Sequence, residues 1–434
     1  MQAIILAGGK GTRLAPLTLD RPKPLVEIAG KPMIAHQLEL LARYDIRDIH
    51  ILTGHLGHMF PELLGDGSRY GVRIGYHLED RPLGTAGAVK SIVADLADTF
   101  LVLYGDVVLD MQLDHFAEVH RASGALGTLA VHPNDHPFDS DLVSFDERDR
   151  VTAFHSKTRP ADDKHENFVN AAAYCLSRGV LDHISDEPED FGLVTFPRIV
   201  SAGGHLQAYR TAEFIKDVGT LQRLKETEAK IDSGEVRSRN RENAQFVVFL
   251  DRDGVLIEEA GDALAPENIA LVPGAGEAVK QLQEAGFLVI LATNQPGIAK
   301  GFIDWDDVHA VHAEIDDRLA RSGAFLTDKY VCPHHPQAGF EGERAELKIA
   351  CDCRKPHPGL LLRARDHYNI DMGRSFMIGD RTVDTAAALA AGCTPLMVRT
   401  GFGGRDGICD VGDVPLFEDL PAAVRHICAK ARGS

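Results

Sequence analysis

The sequence predicts an α/β protein made of two doubly wound domains, and three observations carry that expectation. Short, continuously apolar runs recur along the chain and end in glycine or in a polar residue: "AIILAGG", "DIHILTG", "FLVLYGD", "FVVFLDRDG", "FLVILATNQ" and "SFMIGD". Runs of that length suit parallel strands buried on both faces, with polar residues at their C-terminal ends. Amphipathic stretches such as "MIAHQLELLARY" and "GEAVKQLQEAG" lie between them and suit crossover helices, an alternation that places sites at the strand C-termini. The pattern lapses at "KIDSGEVRSRNRENAQ", whose large apolar residues are only Ile231 and Val236. The expected organisation is therefore a domain over 1–230, a linker over 231–245 and a domain over 246–434. A chain of 434 residues has room for two or three such units.

Composition narrows the function classes. With 64 acidic against 46 basic residues the formal net charge is −18, a surface that repels nucleic acid and anionic lipid. The N-terminal "MQAIILAGGKGTRL" lacks a basic region before its apolar run, and no stretch reaches the ~18 apolar residues a spanning helix needs. Seven cysteines, an odd number without an export signal, point to reduced thiols and a cytoplasmic protein. The expected partners are small molecules, with neither nucleic acid nor membrane, and the oligomeric state is left open.

In the first half, "LAGGKGTRL" directly follows the first strand. Glycines 8, 9 and 11 let backbone N–H groups approach a phosphate chain, with Thr12 beside them, and Arg13 adds a fork of donors. "RPKPLVEIAG" then sets Lys23 between prolines on a stiff segment. With "EDRPLGTAGAV", "LYGDVV", "FVNAAAYCL" and "IKDVGT" in that order, residues 1–230 resemble the sugar-1-phosphate nucleotidyltransferases. The resemblance implies a Rossmann-like fold, base and ribose contacts at Gly84 and Thr85, Mg²⁺ between Asp106 and Asp217, and a sugar contact at Asn170. Lys157 in "HSKTRP", where the family often has Glu-Lys-Pro, is the expected ligand of the sugar phosphate. Ala172 replaces the usual glycine of Asn-Ala-Gly. The chemistry asks for these residue types: a sugar phosphate and a nucleoside triphosphate are both anions, and Mg²⁺, Arg13 and Lys23 would offset their repulsion. His55 and His58 lack a third ligand nearby and are expected to be ordinary loop histidines.

In the second half, "FVVFLDRDGVL" runs from a strand into Asp251 and Asp253. With "LATNQPGIAKG", "CRKPHP" and "MIGDRTVDTAAA" following in order, residues 245–434 resemble the haloacid dehalogenase (HAD) superfamily of phosphatases. The resemblance implies Asp251 as nucleophile and Asp253 as proton donor and acceptor. It implies Thr293, Asn294 and Gln295 around the phosphoryl group and Lys355 neutralising its charge. Mg²⁺ would be held by Asp251, Asp380 and the main chain of Asp253, with Asp384 in support. Clustered carboxylates would repel a phosphate ester without that cation.

"VCPHHPQAGFEGERAELKIACDCRKP" adds a ligand pattern, C-x-H-x16-C-x-C. Cys332, His334, Cys351 and Cys353 form a closed set for a structural Zn²⁺, with His335 as the rival to His334. "CPHHPQ", "CDCRKPHPG" and "TNQPGIA" resemble the phosphatase branch that acts on heptose bisphosphates and histidinol phosphate, especially the heptose enzymes. This implies substrate contacts from Arg354, Lys355 and Arg381, with Pro296 and Glu259 departing from the usual serine and aspartate. Heptose bisphosphate, heptose 1-phosphate and a nucleoside triphosphate become the expected substrates, with GTP favoured by analogy. The alternatives are a histidinol-phosphate-type phosphatase fused to a hexose-1-phosphate nucleotidyltransferase, and a non-catalytic nucleotide-sugar sensor.

Overall fold

The structure, a computed structural model, describes residues 1–432 apart from Lys10, Ala260, Asp262 and Ala263. Its contacts divide the chain into two compact units. The first comprises Met1–His132, Val143–Ser156 and Val169–Asn243, and the second comprises Pro133–Leu142, Lys157–Phe168 and the chain from Ala244 onward. Each is described separately.

At the centre of the first unit is β1 (Gln2–Ala7), flanked by two parallel strands, β2 (Asp48–Thr53) and β4 (Thr99–Tyr104). Beyond β2 lies β3 (Arg73–Leu78), also parallel. The run "AIILA" carries no polar side chain, and Ala3, Ile4 and Ile5 are fully buried, as a strand covered on both faces requires. On the other side the sheet turns antiparallel. Pairing of β4 is with β7 (Val169–Ser177), and of β7 with β6 (Gly127–His132). A separate ribbon pairs β5 (Val107–Asp110) with β9 (Phe214–Asp217), while β8 (Leu206–Arg210) extends the main sheet beside β6. Because Ala7 aligns with Thr53 and Leu6 with Tyr104, the loops after β1 and β4 leave the sheet at one end.

The expected linker is largely folded. A helix covers Leu221–Asp232 and a turn of helix Glu235–Ser238, with Val236 buried and Ile231 packed against a small cluster around Leu14 and Val218. Asn240 is fully buried and donates to Asp110 Oδ1 (2.6 Å), and Arg241 N donates to Glu213 (2.9 Å). The polar composition that resembled a linker reflects side chains engaged in hydrogen bonds.

The second unit holds an all-parallel sheet. Its central strand β10 (Val247–Leu250) lies between β11 (Leu288–Asn294) and β13 (Phe376–Gly379). Outside them lie β12 (Asp328–Cys332) on one side, and β14 (Thr394–Val398) followed by β15 (Leu416–Phe417) on the other. The direction of winding therefore reverses about β10, and a crevice at such a switch point is where open α/β sheets bind ligands.

Two excursions from the first half of the sequence complete this unit. Asn134 and Asn167 exchange hydrogen bonds (3.2 and 2.6 Å), and Asn167 N donates to Asp316 Oδ2 (2.9 Å). The buried ammonium of Lys329 sits between Asp316 (2.7 Å) and Glu166 (3.0 Å), above the ring of Phe168. Burial opposes that charge, but the two carboxylates outweigh it and raise the lysine pKa.

Candidate functional site

In the second unit β10 delivers Asp251 to the crevice, where its amide donates to Ile378 O (3.0 Å). Lys355 bridges two carboxylates, 2.9 Å from Asp251 Oδ1 and 2.6 Å from Asp384 Oδ1, with its side chain only 1 % exposed. Its Nζ also donates to Ala292 O (2.8 Å). Asn294 clamps the lysine backbone in both directions, 3.0 Å each way. The Asn294 amide thereby places Lys355, a role the sequence did not suggest. Thr293 is buried and accepts from Gln295 Nε2 (2.9 Å).

Asp380, at the end of β13, is fully buried. Its Oδ2 accepts from Phe402 N (2.7 Å), while Oδ1 has no partner. Burial, reinforced by the charge of Asp251, raises its pKa to about 8. Burial also raises Asp384, against the opposing effect of Lys355. Gly254 adopts φ +77°, and a Cβ there would lie 2.6 Å from Asp380 Oδ2; the close approach of this loop to the carboxylate requires glycine.

Oxygens of Asp251, Asp380 and Asp384 all lie within 4.8 Å of one another. Three clustered buried carboxylates, two of them paired with one lysine, leave an excess of negative charge and an orphaned oxygen, and a hard divalent cation fits that donor set. Asp384, expected only in support, belongs to this group. The Asp253 carboxylate does not. It is held by Arg252 Nε (3.1 Å), Arg252 Nη2 (3.2 Å) and Gln295 Nε2 (3.0 Å), so only its main chain is left for a metal. Arg252, whose side chain is 2 % exposed, was not anticipated, because an arginine between two aspartates reads as a solvated residue until its burial is known.

The four expected zinc ligands converge. Cys332 and Cys353 Sγ are 3.3 Å apart, Cys351 lies 3.3 Å from Cys353 and 3.7 Å from Cys332, and His334 Nδ1 lies 3.3 Å from Cys353 and 3.7 Å from Cys332. Tetrahedral Zn–S bonds of ~2.3 Å imply ligand separations of roughly 3.7 Å, so the set fits the ion. His335 instead turns its Nδ1 to Gln337 O (3.3 Å). Arg354 Nη1 donates to His334 O (3.1 Å), tying the basic pair to the cysteine loop. Arg381 stacks over Phe402 with its guanidinium carbon 3.8 Å from the ring centroid, and its Nη2 is 3.6 Å from Glu259.

In the first unit a cavity of about 430 Å³ is lined by Gly8, Gly9, Gly11, Arg13, Lys23, Gly84, Thr85 and Asp106 among others. Gly11 adopts φ +60°, and a Cβ there would come within 2.8 Å of Lys23 Cβ, so the loop closes on the lysine only as glycine. Lys23 Nζ lies 2.7 Å from Asp106 Oδ2 and 2.8 Å from Asp217 Oδ1, and Arg13 Nη2 is 3.6 Å from Asp217 Oδ2. The antiparallel pairing of Asp217 with Val107 brings these aspartates together. Both are over a third exposed, so their carboxylates stay accessible to a hard cation such as Mg²⁺. The Thr12 side chain lies outside the described residues.

Glu79, the first residue of "EDRPLGTAGAV", also lines the cavity, as do Tyr104 and Asp190, which were not anticipated. Asp190 Oδ1 accepts from both Thr85 N and Oγ1 (3.1 Å each), a pairing across more than a hundred residues with no local signal. Asn170 and Lys157, the two expected sugar-side residues, are not among the residues that line this cavity. Asn170 sits where the register of β7 slips, its Oδ1 accepting from Ala172 N (3.4 Å), with Ala172 at φ +56°. Exposed Lys157 donates its amide to Asp141 (2.8 Å) on an excursion grouped with the second unit. Among the described residues, His55 and His58 join no cluster of metal-ligating side chains, and no helix is long and apolar enough to cross a membrane.

Two family profiles match separate parts of the chain. The nucleotidyl transferase family profile matches residues 2–234, and the HAD-hydrolase-like profile matches residues 352–420. The D-glycero-D-manno-heptose-1,7-bisphosphate 7-phosphatase of Thermosynechococcus vestitus is 40 % identical over 188 residues, 42 % of this chain and 94 % of that protein. The mannose-1-phosphate guanylyltransferase of Mycobacterium tuberculosis is 35 % identical over 223 residues, 51 % of this chain and 61 % of that protein. Among solved structures, a D,D-heptose 1,7-bisphosphate phosphatase from B. bronchiseptica, complexed with magnesium and phosphate, is 31 % identical. It covers 43 % of this chain and 99 % of that one, with a TM-score of 0.38. The chain is thus a bifunctional enzyme that belongs to the nucleotidyl transferase family over more than half its length and carries, fused behind it, a HAD-like phosphatase domain of the heptose-bisphosphate phosphatase family.

Proposed function

We propose that the chain performs two consecutive steps in making a nucleotide-activated heptose. The second unit removes the 7-phosphate from D-glycero-D-manno-heptose 1,7-bisphosphate, and the first transfers GMP from GTP to the resulting heptose 1-phosphate. The observation that supports the phosphatase reading best is Lys355 set between Asp251 and Asp384 beside the orphaned oxygen of Asp380. The high coverage of the heptose-bisphosphate phosphatase relative supports the substrate. The guanylyltransferase relative supports the base.

In the phosphatase step a carboxylate oxygen of Asp251 attacks phosphorus. The bond from phosphorus to the sugar oxygen breaks, and Asp253 gives its proton to the departing alkoxide. Asp253 then takes a proton from the water that cleaves the aspartyl phosphate, which restores Asp251. Lys355, held by Asn294, offsets charge on the phosphoryl oxygens throughout. Mg²⁺ at Asp251, Asp380 and the Asp253 main chain would supply the remaining positive charge. The zinc set would brace the loop that leads to Arg354 and Lys355.

In the transfer step an oxygen of the sugar 1-phosphate attacks the α-phosphorus, and pyrophosphate leaves. No protein nucleophile is required, so catalysis rests on positioning and charge. The glycine loop and Arg13 bind the phosphates, and Lys23 orients Asp106 and Asp217, which would hold Mg²⁺. Asn170, in the same unit as the cavity, would contact the sugar.

The test offers heptose 1,7-bisphosphate and Mg²⁺ with each nucleoside triphosphate in turn. Release of one phosphate, followed by pyrophosphate with GTP, is expected. Pyrophosphate only with another nucleotide overturns the guanylyl assignment, and no phosphate release overturns the phosphatase assignment.

A further inference from the structure

Resting on the phosphatase reading, we propose that Phe402 is a positioning residue that presents Arg381 to a second anionic group of the substrate. On this account the pair selects bisphosphates over monophosphates.

The segment Gly401–Gly404 reads Gly-Phe-Gly-Gly, and its one large side chain is 38 % exposed. An exposed aromatic ring between glycines has no role in a core and calls for another explanation. The segment is nevertheless firmly tied down. Phe402 N donates to Asp380 Oδ2 (2.7 Å) and Gly404 N to Asp380 O (2.7 Å). Two residues further on, Asp406 accepts from Thr382 N (2.9 Å) and Thr382 Oγ1 (3.0 Å). These bonds fasten the loop on both sides of Arg381, so the ring and the guanidinium keep their relative placement.

Arg381 itself is under-committed. Its side chain is 34 % exposed, and its acidic neighbour Glu259 is 3.6 Å away, beyond hydrogen-bond distance. The contact that orients it is the face of Phe402, 3.8 Å from ring centroid to guanidinium carbon. A stacked guanidinium keeps its in-plane N–H fork free. Such a fork, adjacent in sequence to the carboxylate grouped with Asp251, is suited to an anion carried by the substrate whose phosphoryl group Asp251 attacks. Glu259 can be exchanged for that anion because it is held loosely. A phosphate, like a carboxylate, can take both arms of such a fork, and a sugar bisphosphate supplies one remote from the reacting phosphorus.

The test compares kcat/KM for heptose 1,7-bisphosphate with that for heptose 7-phosphate in the full-length enzyme with Mg²⁺. Phe402→Ala is expected to lower the bisphosphate preference roughly 5-fold, through KM for the bisphosphate. Arg381→Met should lower it on the order of 30-fold, and Phe402→Trp should retain the wild-type preference. Because Phe402 acts through Arg381, the double variant should match Arg381→Met alone. An unchanged preference in Phe402→Ala overturns the inference, as do losses that multiply in the double variant. An equal fall on both substrates also overturns it, showing that the loop serves Asp380 and not Arg381. If the wild-type enzyme releases phosphate from neither substrate, the phosphatase reading itself fails, a result distinct from all of these.

Discussion

Each unit of this chain sets a lysine between two aspartates, and the two arrangements differ chiefly in water. Lys23 lies between Asp106 and Asp217, whose side chains are 36 % and 38 % exposed. Lys355 lies between Asp251 and Asp384, exposed by only 10 % and 1 %. In the first case solvent screens the carboxylates and keeps them accessible to a ligand that arrives with its own charges. In the second the screening is gone, so the lysine and the carboxylates depend on one another, and burial lifts Asp380 to about 8. An exposed carboxylate pair suits a reaction that needs only positioning and charge, whereas a buried one beside a cation suits a carboxylate that must itself attack phosphorus.

The largest expected effect separates the two sites outright. Asp251→Asn should reduce phosphate release by about 10⁴-fold or more and leave pyrophosphate release from GTP and heptose 1-phosphate intact, with Asp106→Asn giving the converse. Loss of both activities in either variant would mean that the sites do not work separately.

Metal removal comes next. Structural zinc contributes on the order of 10 kcal/mol to ordering small modules, and here it would hold four residues of the second unit. Chelation followed by excess Mg²⁺ should therefore lower the unfolding midpoint of that unit and its phosphatase activity, while nucleotidyl transfer persists. The single tryptophan, Trp305, lies in the second unit, so its fluorescence during urea titration reads that unit selectively.

The lysines sharpen the comparison directly. Lys355→Met leaves two buried carboxylates uncompensated and should cost about 3–5 kcal/mol in the Trp305 transition. Lys23→Met, beside partly solvated partners, should cost about 1 kcal/mol or less in the first unit, read by hydrogen exchange in β1 and β5. Equal costs would remove solvent exposure as the difference between the sites.

A pH dependence in the second unit is also expected. Burial, opposed by Glu166 and reinforced by Arg252 and Lys329, lowers buried His312 to about 3, against roughly 6.5 for an unfolded histidine. Below that unfolded value the open chain binds a proton that the folded unit refuses, so stability falls as pH drops from about 6.5 toward 3. The wild-type urea midpoint should decline between pH 6.5 and 5, and His312→Gln should flatten that part of the curve. Parallel curves would place the acid sensitivity elsewhere.

Much of this arrangement was legible in the sequence because it is local. A buried strand ending in aspartate places that aspartate at the sheet's C-terminal edge, and this holds for Asp251, Asp380 and Asp106 whatever surrounds them. The spacing of Cys332, His334, Cys351 and Cys353 likewise limited which ligands could meet, although His335 stayed open until its imidazole was seen turned to Gln337. What only tertiary structure decided concerns partners distant in sequence and their exposure. Asp190 reaches Thr85, Arg252 becomes buried against Asp253 and Gln295, and Asn294 serves the backbone of Lys355. The excursions 133–142 and 157–168 join the second unit, taking Lys157 with them, although their sequence lies amid the first. The physical reason is that strand and turn preferences act over a few residues, whereas burial and the pairing it enforces depend on which distant segments exclude water together.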